Sequence, residues 1–210
     1  AVGDTSVAAY SALMAASQAL IAEDILDAYS LTQHRRLMDV GGGEGAFLRA
    51  AARAAPDLAL TLFDLAPVAE RATRRFAEAG LSGRATALGG SFLTDALPLG
   101  ADAISLGRVV HDHDDAAVRT LLRRVHAALP DGGTLILAEP MSDDAGPEPI
   151  ADAYFGFYLL AMGSGRCRSP SELGQLLGEA GFAEIRELST RRPLLTRLIT
   201  ARRPDVRLRK

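Results

Sequence analysis

The chain has 210 residues, 48% of them apolar, enough to bury the core of one large domain. Twenty-three Lys and Arg stand against 26 Asp and Glu for a net charge of −3, without the basic excess of a dedicated nucleic-acid binder, and no apolar stretch approaches the ~20 residues of a membrane-spanning helix. The single cysteine, Cys167, excludes an intrachain disulfide and a multi-cysteine zinc site and fits a reducing cytoplasm.

Taken in chain order, the first residues, Ala1 to Asp4, lack the charged-then-apolar build of a signal peptide. Val7 to Tyr29 reads as one or two helices with apolar Leu13, Met14, Leu20, Ile21, Ile25 and Leu26. Short apolar runs then predict strands at Arg36 to Val40, Ala59 to Leu65, Arg84 to Leu88, Ala103 to Val110 and Thr134 to Glu139. Gly45 to Ala54, Val68 to Ala79 and Asp115 to Leu129 carry helical periodicity between them. The alternation predicts an α/β fold with a mostly parallel sheet.

Beyond Pro140, a loop at Ser142 to Pro149 leads to an apolar, aromatic helix over Ile150 to Met162. Pro170 after Ser169 opens a helix that Gly181 stops, and strands near Glu184 to Ser189 and Leu194 to Ala201 predict a closing hairpin. The tail from Arg202 to Lys210 carries five positive charges and one negative; it reads as a solvated end or as a contact for an anionic membrane surface.

The strongest local signal is Met38-Asp39-Val40-Gly41-Gly42-Gly43-Glu44-Gly45-Ala46-Phe47, a strand running through a glycine turn into a helix. Glycines there let a backbone approach a ligand and expose N–H groups at a helix start. Gly41, Gly43 and Ala46 satisfy a dinucleotide fingerprint; Gly41, Gly43 and Gly45 equally satisfy the glycine turn of S-adenosylmethionine-dependent methyltransferases. Asp64, about 20 residues on, is placed to accept ribose hydroxyls in either case.

Later segments separate the two readings. Gly89-Gly90-Ser91-Phe92, Pro98 to Gly107, His111-Asp112-His113-Asp114-Asp115 and Ala128 to Glu139 follow, in that order, the pattern of one family. The chain resembles the small-molecule O-methyltransferases of the caffeate, isoflavone and acetylserotonin type. Within them, Asp152 to Met162 and the run Gly89 to Asp95 look most like the bacterial carotenoid hydroxyl O-methyltransferases, which methylate the tertiary hydroxyl of hydroxyneurosporene or demethylspheroidene.

The resemblance implies a Rossmann-like class I methyltransferase, a seven-stranded sheet whose last strand is antiparallel. It makes His111 the general base, with Glu139 as its flanking carboxylate. Asp39, Gly41, Gly43, Asp64, Leu65, Gly90, Ser91, Phe92 and Arg108 are the expected contacts of S-adenosylmethionine. The resemblance also places Met14, with Tyr10 four residues before it, against the substrate; the aromatic stripe with Phe155, Tyr158 and Met162 reads either as core or dimer packing or, together with Tyr10 and Met14, as the lining of an apolar substrate slot. The chain departs from the plant pattern at three positions: Gly90 replaces an acidic residue, Gly107 a lysine and Cys167 a second glutamate, and Arg108 is expected to supply the missing lysine's charge.

Residues 1–35 are accordingly expected to form a helical lead-in that contributes to the substrate pocket, and 36–210 the cofactor-binding catalytic domain. Full-length members carry an upstream helical dimerisation domain, which this sequence is expected to lack, and act as homodimers. A cytoplasmic protein with peripheral contact to the inner membrane follows from so apolar a substrate. The acceptor could instead be a phenol or another small alcohol, or the chain a cofactor-binding module without catalysis.

Two motifs invite other chemistry. His111 to Asp115 resembles a metal-binding run, but adjacent residues seldom converge on one ion and Asp114 or Asp115 suits a helix N-cap, so no metal is expected. Cys167 lies between Arg166 and Arg168, a setting that can activate a thiol, yet it reads as inert.

Overall fold

The computed structural model describes residues 17–142 and 165–205. A first helix, α1, is described over 17–28. It precedes β1 (Arg36–Val40), α2 (Ala46–Ala54), β2 (Ala59–Asp64), α3 (Ala66–Glu78), β3 (Ala85–Gly89) and β4 (Ala103–Gly107). Then come a single 3₁₀ turn (Val110–Asp112), α4 (Asp115–Ala128), β5 (Thr134–Glu139), α5 (Pro170–Glu179), β6 (Ala183–Leu188) and β7 (Arg197–Arg202).

The strands form one sheet in the order β3-β2-β1-β4-β5-β7-β6. β7 runs antiparallel to both neighbours, while β1 to β5 pair in parallel. Successive side chains of a strand face opposite sides of a sheet, and the sequence uses both. Met38, Val40, Ile104, Leu106, Leu135 and Leu137 face α4 and α5, where Val118, Leu121, Leu122, Leu173 and Leu177 complete one core. Leu37, Leu60, Leu62, Ala103 and Ile136 face the other way, onto Ile21 and Ile25 of α1, Leu48 of α2 and Phe76 of α3. This two-sided burial explains why the strands read as continuous apolar runs, β5 being buried at all six positions.

Helix ends follow their sequence signals. Asp114 caps α4 by accepting from the Ala117 N–H at 2.9 Å. Ser169 and Glu172 form a reciprocal capping box at α5: the Glu172 N–H donates to Ser169 Oγ at 3.3 Å and the Ser169 N–H to Glu172 Oε2 at 2.9 Å.

Some element bounds differ from expectation. β4 stops at Gly107 rather than reaching Val110, because Arg108 adopts φ +56° and turns the chain out of the sheet. Leu65 is the N-cap of α3 rather than the end of β2, and α3 starts at Ala66 with Pro67 in its first turn. β7 begins at Arg197, since Leu195 and Thr196 still donate to the Arg192 carbonyl in a turn, at 2.9 and 3.1 Å. The aromatic helix expected over Ile150 to Met162, and residues 7–16 of the expected N-terminal helices, lie outside the described residues.

Candidate active site

The chain crosses from β1 outward to β2 and β3, then returns to β4 on the other side of β1. The C-terminal ends of β1 and β4 therefore flank the point where the winding reverses, the place where open α/β sheets hold ligands. A cleft of about 770 Å³ opens there, floored by Asp39, Gly41, Gly43 and Ser105 and walled by Arg108 and, from α1, Ile21.

The glycine loop adopts backbone that other residues resist: φ is +72° at Gly41, +62° at Gly43 and +74° at Gly45. Gly41 and Gly43, both lining the cleft, face different neighbours. A Cβ on Gly41 would stand 2.8 Å from Val109 Cγ2, whereas one on Gly43 would meet nothing within 4 Å. Gly41 thus lets β1 pass the chain leaving β4, and Gly43 leaves its backbone open to the cleft.

Two carboxylates support this loop. Asp64, at the end of β2, accepts from the Gly43 N–H at 2.9 Å and the Leu65 N–H at 2.7 Å. Burial pushes its carboxyl above the ordinary value, against the opposing pull of those two N–H bonds. Asp39 is fully buried and accepts from Ser105 Oγ at 2.6 Å. Burial, then the nearby Asp64 charge, push it up to about 7, with the Ser105 bond pulling down.

Asp64, Leu65, Gly90, Ser91 and Phe92 lie outside the cleft lining, at the end of β2 and along the chain that leaves β2 and β3, with Asp64 reaching it through Gly43. Gly90 donates to the Asp64 carbonyl at 2.9 Å, the Ser91 N–H to Asp95 Oδ2 at 2.8 Å, and Phe92 packs edge-on against His113, centroids 5.2 Å apart. Arg108 Nη1 donates to Ser17 Oγ at 3.3 Å, tying the cleft wall to α1.

Past Arg108 the chain folds onto Glu139. Both side chains of the pair His111 and Glu139 are 2% exposed, and His111 Nδ1 lies 2.7 Å from Glu139 Oε2. The same carboxylate accepts the Val109 N–H at 2.8 Å, the Val110 N–H at 2.7 Å and the His111 N–H at 3.4 Å. In the tautomer that donates from Nδ1 to Glu139, Nε2 is left as the acceptor. Asp112 Oδ1 stands 3.2 Å from that Nε2. A proton taken up at Nε2 therefore gives an imidazolium between two carboxylates. The pair adjoins the cleft, because Arg108 and Ala138, which line it, lie three residues before His111 and one before Glu139.

Tyr10, Met14, Phe155, Tyr158 and Met162 lie outside the described residues. Among the described residues no three His, Cys, Asp or Glu side chains converge as a metal site. Sequence reasoning missed Ser105, the hydroxyl on Asp39. It also missed Arg168, noted there only as a neighbour of Cys167, which is buried and reaches residues 53 to 58 positions upstream.

The reversed β7 beside five parallel strands, with a glycine loop and a buried His–Glu pair at the switch point, defines a Rossmann-like class I methyltransferase fold. The chain belongs to the O-methyltransferase domain family, which matches residues 3–183. It is 54% identical over 198 residues to the demethylspheroidene O-methyltransferase of Cereibacter sphaeroides, covering 94% of this chain and 52% of that protein. To the enzyme of that name from Rhodobacter capsulatus it is 48% identical over 194 residues, covering 92% and 48%. The chain thus spans about half the length of these relatives. Among solved structures it is similar to an O-methyltransferase from neocarzinostatin biosynthesis in complex with S-adenosylmethionine and 2-hydroxy-5-methyl naphthoic acid, at 34% identity and a TM-score of 0.76, covering 93% of this chain and 57% of that one.

Proposed function

We propose that this chain is the catalytic domain of an S-adenosylmethionine-dependent O-methyltransferase that acts on a hydroxyl of a hydrophobic small molecule, a hydroxylated carotenoid. The observation that carries the reading is the buried His111–Glu139 pair beside the cleft at the sheet's switch point. The names of the two relatives at 54% and 48% identity support the carotenoid acceptor.

The residues present fit the cofactor. The cleft lies within the range of small-molecule sites, Gly43 offers a face that no side chain fills, and the Asp64 carboxylate beside it suits a ribose diol. Gly41 and Gly43 would hold the amino-acid portion, Asp64 the ribose, and Leu65, Ser91 and Phe92 the adenine, with Arg108 closing the wall. When bound, S-adenosylmethionine supplies a methyl group on a sulfonium.

An alcohol attacks poorly until its proton leaves. His111 Nε2 takes that proton, Glu139 keeps the ring in the accepting tautomer, and Asp112 stands by the nitrogen that becomes cationic. The remaining work is alignment at near-attack distance in a site closed to water.

In the same reading the full-length protein is a cytoplasmic homodimer that touches the inner membrane to reach its substrate. The support for the membrane contact is chemical: a hydroxylated carotenoid partitions into lipid. Tyr10, Met14, Phe155, Tyr158 and Met162 supply its apolar slot.

The test incubates the full-length protein with methyl-labelled S-adenosylmethionine and either hydroxyneurosporene-type carotenoid in vesicles or simple phenols. Label transferred to the carotenoid and lost in His111→Ala supports the reading. Transfer to phenols alone replaces the acceptor, and S-adenosylhomocysteine binding without any transfer leaves a non-catalytic module.

A further inference from the structure

The turn that carries His111 is gripped from two sides. On its N–H side Glu139 accepts from Val109, Val110 and His111. On its carbonyl side stands Arg168, whose side chain is 1% exposed. Its Nη1 donates to the Val110 carbonyl at 2.9 Å and its Nη2 to the His113 carbonyl at 2.8 Å, the two peptides that bracket His111 and Asp112. Nη2 and Nε also meet Asp115 Oδ1 at 2.7 and 3.0 Å, fixing the start of α4. One planar guanidinium thus joins both ends of the 110–115 segment, which a point-charge ammonium could not do.

Arg168 is itself held. Its carbonyl accepts the Ser142 N–H at 3.2 Å, and Met141 bridges to it just beyond β5, the strand that ends in Glu139. The capping box of α5 starts at the next residue. Gly165, at φ +92°, lays the same segment backbone-to-backbone on the turn: an added Cβ would collide with the His111 carbonyl oxygen and stand 2.9 Å from Asp112 Cα.

Resting on the reading of His111 as general base, we propose that Arg168 is a positioning residue for the methyl-transfer step, and that Gly165 to Arg168 is the brace that fixes His111 against Glu139. Arg168 is not among the residues that line the cleft. It acts on the catalytic ring through the Val110 and His113 carbonyls that bracket the His111–Asp112 pair, so its loss displaces the base without altering the glycine loop, Asp64 or the cleft.

Two variants of the full-length enzyme test this. Arg168→Lys keeps the charge and loses the fork; Gly165→Ala keeps Arg168 and pushes the segment off the turn. In both, kcat is expected to fall ten- to a hundredfold, the scale of a displacement of about 1 Å at a reacting group, while acceptor KM and the calorimetric Kd for S-adenosylhomocysteine stay within about twofold. Should Arg168→Lys not fold, Gly165→Ala decides. Wild-type kcat in the folded variants overturns the inference, and so does a parallel loss of kcat and S-adenosylhomocysteine affinity, the mark of a collapsed domain. His111→Ala, run alongside, examines the underlying reading by itself: full activity there removes the base assignment and the inference with it, whereas an inactive His111→Ala leaves the two variants to speak for Arg168 alone.

Discussion

His111 Nδ1 and Glu139 Oε2 lie 2.7 Å apart although 28 residues separate them, and the sheet register is the reason. β4 and β5 pair in parallel up to Gly107 and Ala138, so the residue after Ala138 stands beside the chain that leaves β4. A carboxylate there meets a row of outgoing N–H groups and then the imidazole. Replacement of Glu139 by Gln keeps the volume but lets an amide N–H₂ face N–H donors, and the ring loses its fixed tautomer. We expect Glu139→Gln to fold and to lose about 10²-fold or more in kcat. Glu139→Ala instead leaves the Val109 and Val110 N–H groups without this acceptor, at about 1–3 kcal/mol each, and its Tm should drop well below that of Glu139→Gln. A Gln variant turning over at the wild-type rate would remove Glu139 from the catalytic apparatus.

Gly41 and Gly43 predict different phenotypes from one chemical change. Both have positive φ, so alanine costs about 1 kcal/mol or more of backbone strain at either. At Gly41 the methyl also strikes Val109, which adjoins the Glu139-bound turn. At Gly43 it enters open cleft. Gly41→Ala should therefore lower both Tm and activity. Gly43→Ala should stay within about 2 kcal/mol of wild-type stability and lose S-adenosylhomocysteine affinity. Calorimetry together with thermal melts separates the cases; unchanged affinity in Gly43→Ala would move the cofactor off this loop.

These contrasts mark what the sequence made legible. Strand positions, crossover helices and caps were readable because they are local: periodicity, Pro170, Asp114 and Gly181 act within a few residues. The end of β4 was misplaced because Val109 and Val110 are apolar like the strand before them, and it is the distant Glu139 that draws them out of the sheet. His111 and Glu139 entered through family likeness, their contact being a matter of register. Arg168 left no local trace, since its partners Val110, His113 and Asp115 come from another part of the chain. Nothing local marks Gly165 in the sequence, and only the backbone approach to His111 shows why glycine stands there.

Asp64 links the cleft to β2, and its two oxygens are divided between Gly43 and Leu65. A ribose diol placed against this carboxylate would exchange weakly oriented solvent for charge-assisted hydrogen bonds. Asp64→Ala is expected to weaken S-adenosylhomocysteine binding by about 10- to 100-fold, the worth of one hydrogen bond to a charged group. Because the loop loses its acceptor at Gly43 N as well, an Asp64→Asn variant should show a smaller loss. Equal affinity across all three proteins would place the ribose elsewhere.

Asp39 gives the site a pH signature that stability measurements can read. The carboxyl is buried, bonded to Ser105 Oγ at 2.6 Å, and pushed up to about 7 from an ordinary 3.8. Between those values the folded protein keeps a proton that the unfolded chain has released, so the folded state binds more protons and stability falls as pH rises. The loss accumulates from about pH 4 to pH 7 and is complete above; a displacement of about 3 pH units corresponds to roughly 4 kcal/mol. Asp39→Asn retains the shape and an acceptor for Ser105 but cannot titrate. The Tm of the wild type should therefore decline relative to Asp39→Asn between pH 5 and pH 8, with most of the change below pH 7. A wild-type-minus-variant difference that stays flat over that window would mean that Asp39 is ionised throughout, and that its burial beneath the glycine loop is compensated by more than Ser105.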